Sequence, residues 1–219
     1  MLGNKINFKK ARIPSKKKLN GKYCFLEPVN SKKHSKDLFK NFSLDKKGTD
    51  WIYMPAGPYK TEKSLKKYLK AKNFTGNPFF YAIYSKRLQT YCGLASYLRI
   101  KPQIGTIEVG WITYAPNLQR TVEATEVMYL MMKNAFEGLG YRRYEWKCDN
   151  LNKRSKKSAL RVGLTPSPTC PTRQGGFPKG RCGQGRQLKG PQPVRSSNLL
   201  RKLKENFYVY ETTYSRQRR

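Results

Sequence analysis

Acid and histidine are what this sequence has least of. Its 219 residues carry 13 Asp and Glu against 46 Lys and Arg, with His34 the one histidine, for a formal charge of +33. One histidine excludes a histidine-rich metal site and any mechanism that needs two. The five cysteines, Cys24, Cys92, Cys148, Cys170 and Cys182, are odd in number and form no CxxC pair. That argues against a disulfide framework or a zinc knuckle and fits a reducing compartment; no metal is expected. No apolar run approaches the ~18–20 residues of a membrane span. The opening MLGNKINFKKARIPSKKK lacks the apolar centre of a secretory signal. A cytoplasmic protein is expected.

What is present supports one core with tails, or two small domains. Hydrophobic residues make up 37% and aromatics 13%, against a mean hydropathy of −0.79, so the surface is very polar. So large a positive charge attracts polyanions, among them nucleic acid, ribosomes, acidic membrane surface and phosphorylated ligands. It carries no information about fold.

Along the chain, residues 1–20 read as a lysine-rich solvated arm. Tyr23 to Leu26 is a short strand that Pro28 ends. Ser31 is positioned to cap a helix with Leu38, Phe39 and Phe42 on one face. Trp51-Ile52-Tyr53-Met54 is an aromatic patch closed by the turn Pro55-Ala56-Gly57-Pro58. Leu65, Tyr68 and Leu69 mark a basic helix over 61–71. A meander of three antiparallel strands follows, over 78–85, 90–100 and 104–114. In the third, Ile104, Thr106, Glu108, Gly110, Ile112 and Tyr114 alternate with a second face. Pro116 stops it. The loop Asn117-Leu118-Gln119-Arg120 leads into a helix over 121–138 that buries Val127, Met128, Leu130, Met131, Ala135 and Phe136. A strand over 144–148, a turn over 149–152 and a helix over 155–162, closed by Gly163, complete the ordered pattern.

The order strand, strand, strand, loop, helix, strand, turn, helix resembles the GNAT superfamily of N-acetyltransferases. Within it, the chain is similar to the branch of ribosomal-protein N-terminal acetyltransferases. The residues that carry this are Gly21-Lys22-Tyr23 with Leu26-Glu27-Pro28, Trp51-Ile52-Tyr53-Met54-Pro55 with Gly57-Pro58, and Glu108-Val109-Gly110. Leu118-Gln119-Arg120-Thr121, Ala124-Thr125-Glu126, Leu139-Gly140-Tyr141-Arg142-Arg143-Tyr144-Glu145, and Asn152 with Ser155 follow. No one piece is specific, but their order and spacing over about 21–164 are. The resemblance implies an α/β fold, a mixed, mainly antiparallel central sheet flanked by helices, with an irregular C-terminal tail. It implies acetyl-CoA as the acetyl donor and an amine, on a protein N-terminus or a small molecule, as acceptor.

It also implies site residues. Family members hold the pyrophosphate of acetyl-CoA in a loop of pattern Gln/Arg-x-x-Gly-x-Gly/Ala at a helix N-terminus, matched here by Gln119, Arg120, Thr121, Val122, Glu123 and Ala124. Helix-start N–H groups and the Arg120 guanidinium would meet the phosphates. Val122 replaces the usual glycine, so the loop must take another backbone path or bind more weakly, and Glu123 puts negative charge close to the anion; the alternative is an ordinary capped helix start. The backbone of Ile112, Thr113 and Tyr114 would bond the pantetheine arm beside a bulge. Glu108, between Ile107 and Val109, is the candidate general base, or else a structural carboxylate paired with a cation. Asn152 would cap the last helix and touch the cofactor, with Ser155 near the departing sulfur; a plain cap explains both as well. Cys148 reads as a buried structural thiol rather than a nucleophile.

The tail departs from this pattern. Residues 165–195 are dominated by Pro, Gly, Ser, Thr, Gln and Arg, a linker composition unfit for the final strand pair of the family. Lysine outnumbers arginine 26 to 8 over residues 1–164, but arginine outnumbers lysine 8 to 4 over 165–219. So abrupt a switch suggests a coding frame disturbed near residue 164. The rival expectation is therefore a GNAT-like protein of weak or no turnover that contacts a ribosomal protein or RNA through its basic surface.

Overall fold

The computed structural model describes residues 8–72, 76–149 and 151–166, with the backbone of 207–211. The chain forms two compact units, Met1–Glu145 and Trp146–Arg219. The first opens with β1, Leu19–Asn20, and β2, Cys24–Pro28, followed by the helices α1, Ser31–Phe42, and α2, Glu62–Lys72. Then come β3, Phe79–Ser85, β4, Thr90–Lys101, β5, Thr106–Tyr114, and the helix α3, Val122–Lys133. Strands β1 to β5 lie in chain order, each antiparallel to the next. Strand β6, Arg143–Cys148, begins in this unit and ends in the second, which holds α4, Lys153–Arg161, and β7, Phe207–Glu211. The mixed α/β class and the mainly antiparallel sheet are as the sequence implies.

Several local expectations are corrected. The arm is not solvated throughout: Ala11 is buried, its N–H donates to the Pro102 carbonyl, and Leu19–Asn20 pairs with Leu26 and Phe25. Strand β2 starts at Cys24 rather than Tyr23 and ends at Pro28, which is itself paired, opposite Tyr81. The cap of α1 is Asn30, not Ser31; its carboxamide oxygen accepts from the Lys32 and Lys33 N–H groups. The buried stripe of α1 includes polar residues, with His34, Ser35 and Asn41 beside Leu38 and Phe42, while Phe39 is half-buried. In α3 Met132 joins Val127, Met128 and Met131 in the core, and Leu130 and Phe136 are half-buried. The α-helix ends at Lys133, and 134–138 is a π-helical turn. Within the tail, where the periodicity of Leu199 to Tyr210 allows a short helix or strand, 207–211 is a strand; Cys170 and Cys182 lie outside the described residues.

Three bulges set which way the strands aim their side chains. An extra β4 residue falls between the Ile83↔Gly93 and Tyr84↔Tyr91 pairs. Tyr91 and Tyr97 would share a face in an unbroken strand. Instead the Tyr91 hydroxyl meets Glu27 beside α1, whereas that of Tyr97 reaches the Met131 carbonyl in α3. A second extra β4 residue falls between Leu98 and Lys101, where Arg99 has φ +47°. The third lies on β5, where Trp111 (φ +49°) and Ile112 together face Ala95. Bulges re-aim side chains in this way and increase local twist.

The start of α1 anchors β2 through a polar knot. The Asn30 N–H donates to His34 Nδ1, so the imidazole proton is on Nε2, which donates to Glu27 Oε1 at 2.8 Å. Lys33 and Tyr91 donate to the same oxygen. Burial by itself would raise the Glu27 carboxyl, but hydrogen bonds from Lys33, Tyr91 and His34 outweigh it and hold it at about 2. Burial pushes the His34 imidazole down and keeps it neutral.

Candidate active site

The segment from β5 to α3 is fixed at both ends. The Ala115 N–H donates to the Cys92 carbonyl, the Leu118 N–H returns to the Ala115 carbonyl, and Leu118 is fully buried. Further on, Glu126 accepts from the N–H groups of Lys22, Tyr23 and Cys24 at 2.7–2.8 Å. Gly21 makes that approach possible, since a Cβ there would lie 2.5 Å from the Glu126 carboxyl.

Between these anchors, Thr121 caps α3, its hydroxyl oxygen accepting from the Ala124 N–H and its own proton going to the Leu118 carbonyl. The N–H groups of Arg120, Thr121 and Val122 have no protein partner among the described residues. They stand at the positive end of a 12-residue helix. The loop takes another backbone path: the left-handed conformation falls on Arg120 (φ +60°), while Val122 is the first helical residue and is 60% exposed. Glu123 is turned inward and buried: Arg87 Nε donates to it at 2.8 Å and the Ser85 hydroxyl at 3.3 Å. Burial works to raise its carboxyl, but its own N–H and Arg87 prevail and lower it. Free N–H donors, an exposed Arg120 and a withdrawn carboxylate together fit a diphosphate.

The Gln119 side chain does not point to such an anion. Its amide donates to Asp50 at 2.6 Å and to the Tyr114 carbonyl at 3.0 Å, tying the loop to the turn after α1. The Thr113 hydroxyl lies 3.9 Å from Met54 Sδ in the same turn, and the Tyr114 hydroxyl donates to the Ala124 carbonyl. Ile112 sits in the bulge.

Glu108 is buried in β5, yet Arg99 Nη1 lies 2.5 and 2.6 Å from its two oxygens. The β4 bulge delivers that guanidinium, which is itself 56% exposed. Its surroundings are therefore not purely apolar, as Ile107 and Val109 alone would suggest. Sequence reasoning does not single out Arg99, although counting back from the hairpin turn places it near Glu108. Asp50 gives no local signal, because its partner Gln119 is far along the chain.

In the second unit, Asn152 caps α4 by accepting from the Ser155 N–H at 3.0 Å. Trp146 Nε1–H donates to the Ser155 hydroxyl oxygen at 2.9 Å. That bond uses the oxygen as acceptor and leaves the hydroxyl proton to be donated. Cys148 is half-buried rather than fully buried.

Residues 24–165 match the family model described as an acetyltransferase (GNAT) domain. A GCN5-related N-acetyltransferase from Brucella melitensis is 34% identical, with 72% of each chain covered and a TM-score of 0.70. A GNAT-family acetyltransferase structure from Chromobacterium violaceum is 30% identical, covering 75% of this chain and 81% of that one, TM-score 0.67. An acetyltransferase from Salmonella typhimurium, described as modifying the N-terminal serine of a large-subunit ribosomal protein, shares the fold. It is 16% identical over 66% of this chain and 83% of its own, with a TM-score of 0.54. No curated protein matches significantly. With its family model matching residues 24–165, this protein belongs to the GNAT acetyltransferases, which use acetyl-CoA as acetyl donor.

Proposed function

We propose that this chain transfers the acetyl group of acetyl-CoA to an amine, either a protein N-terminus or a small amine. The observation that carries the reading is the head of α3, where three N–H groups without protein partners among the described residues adjoin the exposed Arg120. Residues 119–124 are assigned to the diphosphate through their backbone, with Arg120 adding charge-assisted contacts. The backbone of Ile112, Thr113 and Tyr114 is assigned to the pantetheine arm, with Asn152 touching it from the cap of α4. Acetyl-CoA supplies a thioester carbonyl open to attack and a thiol as leaving group. Glu108 is assigned the amine proton, taken directly or through water, with Arg99 Nη1 set against both of its oxygens. Ser155, oriented by Trp146, is assigned a hydrogen bond to the departing sulfur. The partners are an amine acceptor and, through the basic surface, ribosomal protein or RNA.

Thiol release from acetyl-CoA, measured with the purified full chain against N-terminal peptides and small amines, tests this. Acceptor-dependent release is expected. Saturable cofactor binding without acceptor-dependent release would favour the weak or inactive alternative.

A further inference from the structure

We infer that the outer surface of the α1–α2 helix pair docks on the phosphate backbone of double-helical RNA. This builds on the basic-surface reading and not on acetyl transfer, so the two fail separately. Lys32, Lys36 and Lys40 repeat every fourth residue along α1, opposite its buried stripe. Lys63, Lys67 and Lys70 form a similar row along α2, away from buried Leu65 and Leu69. All six are exposed. Like charges at this spacing destabilise a helix, and the two helices carry several such pairs.

Over residues 31–72 twelve lysines outnumber four acids, and each of those acids accepts a hydrogen bond from a group other than the six lysines. Asp37 accepts from the Tyr91 N–H, Asp45 from the Asp50 N–H, Asp50 from Gln119 and Glu62 from Ser35. Lysine is not spread evenly over the fold either. The α3 helix, equal in length to α1, carries Lys133 alone against Glu123 and Glu126, whereas α1 carries four lysines and one aspartate.

The chemistry of the surface selects its partner. Residues 31–72 contain lysine but no arginine. Lysine meets phosphate as a point charge, whereas reading a base edge or anchoring a protein interface favours arginine and aromatics. Neither helix exposes a large apolar side chain of the kind that would enter a membrane. What remains is sequence-independent phosphate contact.

Fluorescence anisotropy with a labelled 20-base-pair RNA duplex over a salt series tests this on the full chain. K36Q/K40Q/K63Q/K67Q should lower the slope of log affinity against log salt by about 3.6, near 0.9 for each of the four phosphates no longer neutralised, and weaken binding at least tenfold. The control K9Q/K10Q/K16Q/K17Q removes equal charge from residues 8–20 and should change the slope by less than about 1. Melting temperatures of both variants establish that they are folded. Equal loss in the two variants would overturn the assignment, as would tighter binding to phosphatidylserine vesicles or to a polyglutamate peptide than to the duplex.

Discussion

Glu108 and Glu123 are both buried carboxylates of one strand–loop–helix segment, and each meets an arginine that is about half exposed. Their other partners separate them. Glu123 also accepts from the Ser85 hydroxyl, and its arginine donates onward to the Asn117 carbonyl. It thereby stitches the β3–β4 turn to the loop that precedes α3. Glu108 is gripped at both oxygens by a single nitrogen of Arg99. An exposed guanidinium stays hydrated and is displaced at little cost. Glu123 therefore ties sheet to loop, while Glu108, beside an exposed guanidinium, is the carboxylate to which the proposed function gives the amine proton.

Substituting each in turn tests that contrast. Glu108→Gln has the largest expected effect: turnover falls about 10²- to 10³-fold, as for loss of a general base, while melting temperature and acetyl-CoA affinity stay near wild type. A loss of activity that tracked a loss of folding would instead make Glu108 structural. Glu123→Gln should act on the loop, raising KM for acetyl-CoA about fivefold with kcat little changed. Stability should fall by about 1–2 kcal/mol, read by denaturant titration, because buried hydrogen bonds are lost opposite a partly solvated arginine. If kcat fell as far as for Glu108→Gln, the contrast would collapse.

Glu27 supplies the smallest effect on turnover and the clearest one on pH. Its folded pKa of about 2 lies below the ordinary carboxylate value of 4.5. Its contribution to stability is therefore complete above about pH 4.5–5 and drains away as pH falls toward 2. His34, pushed below its ordinary 6.5, acts in the same direction, because the unfolded chain takes up its proton first as pH falls through 6.5. Glu27→Gln should flatten the stability profile between pH 5 and 2 and leave kcat near wild type; an unchanged profile would show that the knot contributes nothing.

Apolar runs made much of this fold legible. The first two strands of the meander, read as 78–85 and 90–100, differ by one residue from Phe79–Ser85 and Thr90–Lys101. What stayed hidden was whatever depends on partners distant in sequence. The bulges at Cys92 and Arg99 are properties of strand pairs that alternation along one strand cannot register, whereas the one at Trp111 and Ile112 lies where the family resemblance implies a bulge. Ile104 itself lies in the preceding turn and is 51% exposed. His34, Ser35 and Asn41 form part of a core face that hydrophobic periodicity is blind to, since hydrogen bonds rather than apolarity make their burial tolerable. At the candidate site, the family pattern carries no information on which backbone path replaces the usual glycine at Val122 or on the inward turn of Glu123. Which loop residue turns left-handed, and where a carboxylate points, are decided by Arg87, Ser85 and the Thr121 cap.

The central claim is that the head of α3 receives the diphosphate of acetyl-CoA. Isothermal titration of acetyl-CoA into the full chain and its Arg120→Ala variant tests it most directly. Saturable binding is predicted, with Kd raised about tenfold in the variant, the equivalent of about 1.4 kcal/mol for one charge-assisted contact. Absence of binding to the wild type, or equal affinity for both proteins, would contradict it.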